Sequence, residues 1–333
     1  MTEQDLADLG VHRVPVPVPF PQAGGPVNLY LVEEAGGGVL LFDAGLGSDE
    51  GMAAIEEGFR RLGRRFEEVT RIVISHGHVD HFGAARWIQE RHGGELPVYA
   101  HVADQPKMTE AGPRWAVLAP RYGAYLVRLG VPAEILEAIA QEGARSHGFS
   151  RRLATAIPIG EGDVLRTRHL ALELLHMPGH TPGLLCAHDR ERRIILSDDH
   201  LLEKVSPNPL IELGPDGQPS GFRPLVAYLA SVARMRALEL DLVLPGHGPP
   251  FADHRGVIDK LVGFYGKRQA RIVELLGDRT RSVYEVAAAL FPRARANDVF
   301  LTVSETIANL EVLEDRGEVR RVDDGTIRFA RAA

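Results

Sequence analysis

Six consecutive positions, His76-Gly77-His78-Val79-Asp80-His81, follow a short β-branched run from Arg71 to Ile74 and bring three imidazoles and a carboxylate together. Leaving an extended segment, the i, i+2 spacing sends the rings of His76 and His78 to the same side. Donors of these types crowded at a strand end form a metal-ligand pattern, and loops at strand ends are where sites are carried. Three further fragments each place a donor directly after a predicted strand: Pro178-Gly179-His180-Thr181-Pro182-Gly183, Leu196-Ser197-Asp198-Asp199-His200 and Pro245-Gly246-His247-Gly248. The single cysteine, Cys186, closes no intramolecular disulfide and builds no thiolate zinc site, so metal binding falls to the 14 histidines and the carboxylates.

At 333 residues the chain exceeds what one core usually holds, which allows two domains or one large domain with an appendage. Apolar residues at 44% and charged residues at 25% exclude disordered, collagenous and coiled-coil chains. A net charge of -7 and a pI near 6.1 give no global attraction to phosphate backbones. The acidic N-terminus lacks the basic and apolar regions of a signal peptide, and no apolar run approaches a membrane span. The expectation is a cytoplasmic protein with no membrane segment.

Along the chain, Arg13 to Phe20 reads as an extended, proline-bearing edge strand, followed by a strand pair around Gly36-Gly37-Gly38. Helical spacing of Met52, Ile55 and Phe59, the strand into His76, a helix with Trp87 and Ile88, and a strand from Pro97 to His101 alternate as in an α/β fold. Residues 103–150 interrupt that rhythm with helical, aromatic-bearing text (Trp115, Tyr122, Tyr125) and are expected to form an inserted cap. Strands resume from Val164, with a hairpin across Asp189-Arg190-Glu191-Arg192. After about residue 252 the text changes to helices, Val257 to Leu276, Val283 to Leu290 and Asp298 to Glu314, then a hairpin over Asp323-Asp324-Gly325, the order of a winged helix.

With these fragments in view, the chain resembles the metallo-β-lactamase-fold hydrolase superfamily, whose αββα sandwich carries an HxHxDH motif and later His, Asp and His ligands. The match covers about residues 13 to 252. The resemblance implies a catalytic domain over 1–252 and a winged-helix domain over 253–333. It assigns His76, His78 and His180 to one metal, Asp80, His81 and His247 to the other, and a bridging carboxylate to Asp199. Asp198 stands where the family usually has glycine, so it is the alternative bridge, with motif register favouring Asp199. The implied cofactor is a pair of divalent ions, zinc by resemblance, with iron or manganese also accepted by a His/Asp set. Such a pair makes a bridging hydroxide available near neutral pH, so Asp80 and Asp199 carry the catalytic roles.

Asp43 resembles the family's early aspartate that orients the motif, and it also reads as a turn-capping residue. His200 reads either as touching substrate or as sitting beside the site, His101 as structural or as orienting a ligand, Trp115, Tyr122, Tyr125, Arg145 and His147 are cap candidates for substrate contact, and Cys186 reads as a small buried hydrophobe. A carboxylate at position 199, where the best-known β-lactamases carry cysteine, points away from antibiotic hydrolysis and toward thioesterases, lactonases and nucleases. The C-terminal segment resembles that of lactamase-like endoribonucleases acting on single-stranded RNA, but its charge is only +2 over residues 255–333, against -9 for the rest. The would-be recognition helix carries Glu305, Glu311 and Glu314 and no Lys or Arg, which disfavours nucleic acid as a partner and leaves the helix to pack on its own catalytic domain or in a homodimer. The expected function is hydrolysis of a small acyl substrate, a thioester, ester or lactone, with the endoribonuclease as the alternative.

Overall fold

The computed structural model describes residues 3–111, 113–214 and 220–332. A short helix α1 (Glu3–Asp8) precedes six strands of a first sheet: β1 (Val11–Val16), β2 (Val27–Glu33), β3 (Val39–Phe42), β4 (Val69–Ile74), β5 (Val98–Ala100) and β6 (Ile157–Pro158). They lie in that order, antiparallel from β1 to β3 and parallel from β3 to β6. The proline-bearing strand β1 takes the edge, where a missing N–H leaves no ladder bond unmade. Between these strands run α2 (Asp49–Arg61), the four-residue α3 (Val79–Phe82) and α4 (Ala85–His92). Helix α2 starts where Ser48 Oγ accepts the Gly51 N–H at 3.0 Å, and acidic residues in its first turn and arginines in its last suit its dipole.

The expected interruption is helical: α5 (Gln105–Thr109), α6 (Pro113–Arg128) and α7 (Ala133–His147). A second sheet follows, with β7 (Val164–Arg166), β8 (Ala171–His176), β9 (Leu185–Asp189) and β10 (Ile194–Asp198), then α8 (Pro224–Arg236) and β11 (Leu242–Pro245), which joins β10 in parallel. The two sheets face each other through Tyr30, Leu40, Phe42 and Val73 on one side and Leu172, Leu174, Leu185, Leu196 and Leu244 on the other. Residues of opposite parity on the first sheet, such as Leu29, Leu41 and Ile72, pack under α2 and α4 through Ile55, Phe59 and Ile88. On the second sheet Leu175, Cys186, Ile195 and Val243 pack under α8 through Leu225, Tyr228 and Val232. Period-two alternation thus produces a mixed α/β fold of two sheets between helices.

The chain continues into α9 (His254–Leu276), β12 (Arg281–Ser282), α10 (Val283–Leu290), α11 (Val299–Asp315), β13 (Val319–Asp323) and β14 (Ile327–Arg331). The last two pair across the expected turn, and β12 adds to β14. A capping box opens α10: Glu285 N–H donates to Ser282 Oγ at 3.2 Å, and Ser282 N–H to Glu285 Oε2 at 2.7 Å. These elements share one hydrophobic core with the inserted helices: Leu126, Leu129 and Ile139 pack with Ile272, Val283, Ile307 and Phe329. Helix α11 is wedged between that core and the one under the second sheet, to which it contributes Ala308 and Val312.

Candidate metal centre

Four strand ends deliver the donors. His76 and His78 follow β4, Asp80 and His81 lie in α3, His180 follows β8, Asp199 follows β10 and His247 follows β11. Side-chain donor atoms of His76, His78 and His180 lie within 4.8 Å of one another, as do those of Asp80, His81 and His247. The two triads meet at Asp199, whose Oδ2 is 3.4 Å from His180 Nε2, 3.5 Å from His81 Nε2 and 3.7 Å from His247 Nε2. All seven residues singled out in the sequence therefore converge on one place.

The imidazoles are oriented from behind. His180 Nδ1 reaches the Asn208 carbonyl at 3.2 Å, and His247 Nδ1 the Gly25 carbonyl at 3.1 Å. His81 Nδ1 lies 2.9 Å from Asp43 Oδ2 and 3.3 Å from Asp198 Oδ1, while His76 Nδ1 lies 3.1 Å from the same Asp198 oxygen. Outward Nδ1 contacts aim Nε2 at the centre and favour the tautomer that would present it bare to a cation. His78 is the exception, turning Nδ1 inward, 3.1 Å from His76 Nε2. Asp198 thus meets the Nδ1 side of two rings, its donor oxygen within 4.8 Å of that of Asp199, and Asp43 holds both His81 and the strand end, accepting Ser75 N–H at 2.7 Å and Ser75 Oγ at 2.9 Å.

Electrostatics follow from burial. Burial opposes charge on His81 and His247, yet the surrounding carboxylates prevail, lifting His81 well above the usual histidine value and His247 to about 9. His78 moves well below it, through burial and then the neighbouring His180 and His76. Against the penalty of burial, His247 and His81 hold Asp199 well below the ordinary carboxylate range. Burial and then Asp198 push Asp43 well above that range. At Asp198 burial is overcome by His81 and by hydrogen bonds from Asp43 and His76, which keep it low.

Two divalent cations fit this donor set. The buried atoms His81 Nε2, His180 Nε2 and Asp199 Oδ1 have no hydrogen-bond partner, and all three belong to the facing triads and the carboxylate between them. Unpaired buried nitrogens and a carboxylate oxygen are costly unless an electropositive centre meets them.

A cavity of about 1130 Å³ opens above, with His78, Asp80, His180, Asp199 and His247 on its floor and α6 and α7 on its roof. Of the cap candidates, Tyr122, Arg145 and His147 line it, whereas Tyr125 is buried in the shared core and the Trp115 side chain lies outside the described residues. His200 is buried beside Tyr228 and is not part of the cavity wall, and His101 stacks on His176 at 4.1 Å.

Sequence reading missed Asp104 and Lys107. The Asp104 carboxylate accepts the Gly77 N–H at 3.0 Å and the Thr181 hydroxyl, tying two ligand-bearing loops together. Lys107 lies 3.2 Å from Asp104 and pairs with Glu212 across the cavity, which pushes its ammonium up despite burial. No local pattern marks them, since their partners Gly77, Thr181 and Glu212 lie 27 to 105 positions away.

Two sheets between helices with His/Asp loops at one end define a metal-dependent hydrolase fold. The profile of the Metallo-beta-lactamase superfamily matches residues 23–247, and the chain belongs to that superfamily as one of its hydrolases. It is 29% identical over 317 residues to the probable metallo-hydrolase YqjP of Bacillus subtilis, covering 94% of this chain and 93% of that protein. The crystal structure of a metallo-beta-lactamase family protein from Thermus thermophilus superposes with a TM-score of 0.80 at 28% identity, over 97% of this chain and 98% of that one. An acyl-coenzyme A thioesterase of Gallus gallus, MBLAC2, is 26% identical over 248 residues, 71% of this chain and 77% of that protein. Among the described residues no helix is long and apolar enough to cross a membrane.

Proposed function

We propose that the protein is a dinuclear metallohydrolase of acyl substrates, with thioesters first among them and esters and lactones beside them. The observation that carries this reading is the position of the donor cluster at the floor of a large, largely apolar, roofed cavity, which admits a small molecule with an apolar arm rather than a folded polymer. Similarity to the thioesterase of Gallus gallus supports the same substrate class. In this reading His76, His78 and His180 hold one cation, Asp80, His81 and His247 the other, and Asp199 is shared; zinc is the proposed metal.

When bound, the ions lower the pKa of water and polarise an acyl carbonyl oxygen. The protein's own share is positional. Nδ1 contacts lock four rings, and the ionised carboxylates of Asp80 and Asp199 face the cavity, where they orient water. The roof formed by α6 and α7 keeps bulk solvent from the reacting carbonyl. The division into 1–252 and 253–333, with the latter a winged-helix unit, belongs to the same proposal, as a scaffold for the cap rather than a reader of RNA; the burial of α11 on two sides supports this.

Metal analysis should find two ions per chain. Turnover of S-lactoylglutathione, acyl-coenzyme A thioesters and lactones, measured beside single-stranded RNA with zinc or manganese, should show acyl hydrolysis that vanishes in His78→Ala. RNA cleavage that vanishes in that variant, without acyl turnover, reverses the assignment.

A further inference from the structure

The cavity above the donor cluster is not closed by the two-sheet body alone. Part of its wall comes from the C-terminal segment, from Ala296 ahead of α11 and from Phe300 and Leu301 in its first turn. We propose that this segment is part of the substrate site, and that Phe300 and Leu301 set the length of the apolar acyl chain the cavity accepts; the acyl nature of the substrate rests on the function proposed above.

The wall is stiff. The Phe300 ring meets Tyr122 of α6 edge-on, with centroids 5.8 Å apart, and the Tyr122 hydroxyl is fixed between the Ile211 carbonyl at 3.3 Å and the Leu213 N–H at 3.4 Å. An aromatic held in that way is a fixed stop, not an adaptable surface. Roof and wall are also packed together. Tyr284 N–H donates to the Leu129 carbonyl at 3.0 Å, Arg128 pairs with Asp323 at 2.6 Å, and the inserted helices share a hydrophobic core with α9, α10 and α11.

Apolar side chains, among them Leu118, Ile139 and Leu210, line the cavity alongside the largely buried Lys107–Glu212 pair, and the charged Arg145, Arg295 and Asp298 are exposed. An alkyl chain laid against these apolar side chains and against Leu301 is desolvated there. At about 1130 Å³ the space exceeds the usual small-ligand pocket, so a two-carbon acyl group leaves most of it unfilled. Each methylene buried against these side chains should tighten binding roughly fourfold, and the gain should stop where the chain meets the wall.

Two variants narrow the wall from different sides. Leu301→Trp fills it from the first turn of α11; Ala296→Trp fills it from an exposed turn and disturbs no packed side chain. Two readouts are taken on zinc-loaded protein: kcat/KM for acyl-coenzyme A thioesters from acetyl to hexadecanoyl, and calorimetric affinity for the matching straight-chain carboxylates, which requires no turnover. The expected result is that both variants lower the dodecanoyl-to-acetyl ratio of kcat/KM at least tenfold and shorten the carboxylate at which affinity stops rising. Thioester turnover with chain-length profiles and carboxylate affinities unchanged in both variants overturns this inference and leaves the acyl-hydrolase reading intact. Carboxylate binding that shortens in the variants, without hydrolysis of any thioester, sustains the wall and overturns the thioesterase reading. Absence of both binding and turnover overturns the two together.

Discussion

Asp198 has a left-handed backbone, φ 50°, at the end of β10. That conformation costs a residue with a Cβ about 1–2 kcal/mol, and aspartate is among the few that visit it. What holds it there is the carboxylate, which accepts the Asp199 N–H at 2.7 Å and lies against the Nδ1 atoms of His76 and His81. Asp198→Gly should therefore fold, since glycine accepts the backbone, yet lose metal affinity by about 10–100-fold, as removal of an outer partner of ligating histidines does. Competition with a chelator measures this; unchanged affinity means the carboxylate does not orient the rings. His247, lifted to about 9, is protonated in the metal-free protein at pH 7.5, whereas a cation needs its bare nitrogen. Zinc binding at pH 7.5 should release at least one proton, and apparent affinity should rise with pH up to about 9. Calorimetry in buffers of different ionisation enthalpy reports the release, and identical heats would contradict it.

Among the elements, α11 departs most from its sequence pattern. Periodicity marks one apolar face, Val299, Val303, Ile307 and Leu310, but the helix is buried on a second face too, through Ala308 and Val312. Its polar residues conceal this because they are satisfied internally: Thr306 Oγ1 donates to the Thr302 carbonyl at 2.7 Å, Asn309 Nδ2 to the Glu305 carbonyl at 2.8 Å, and Ser304 Oγ accepts the Ile211 N–H at 3.3 Å. Glu311, on the same helix, is pushed up to about 7 by burial, which outweighs Arg321 and Arg223. The folded state keeps this proton up to about pH 7, while an unfolded glutamate loses it near 4.5, so the stability present below 4.5 declines as pH rises through 7. Glu311→Gln, which cannot ionise, should exceed the wild type in stability at pH 8 by on the order of 2 kcal/mol, with no gap near pH 4. Urea unfolding at the two pH values checks it, and an equal gap at both removes ionisation as the cause.

At the scale of the molecule, the inserted helices and the C-terminal segment form one core that sits over the metal centre. Leu126, Leu129 and Val131 on one side and Ile272, Val283, Val286 and Phe329 on the other are all buried. Ending the chain at residue 252 would expose the insertion's half of that core, together with the surface of α8 that α9 and α11 cover through Tyr265, Ala308 and Val312. The shortened protein is expected to aggregate or to lose its cap, seen as insoluble expression or as rapid proteolysis within 103–150. A soluble, metal-loaded product that resists protease there would show that the cap stands without the segment.

The HxHxDH cluster, the donors at 180, 199 and 247 and the alternation of strands and helices were legible in the chain because they are local: a ligand's chemistry and a strand's period are written in a few adjacent residues. Asp43 was readable only as one of two roles, and Asp104 and Lys107 not at all, since their significance lies in partners 27 to 105 positions away. Residue spacing likewise left Asp198 and Asp199 as competing bridges. Only the tertiary structure gives the two carboxylates different surroundings: Asp198 Oδ1 lies against Nδ1 of His76 and His81, whereas Asp199 Oδ2 faces Nε2 of His81, His180 and His247. The same holds for the cavity wall at Phe300 and Leu301: a surface made from segments more than 150 residues apart exists only once the cores have packed, and no local pattern encodes it.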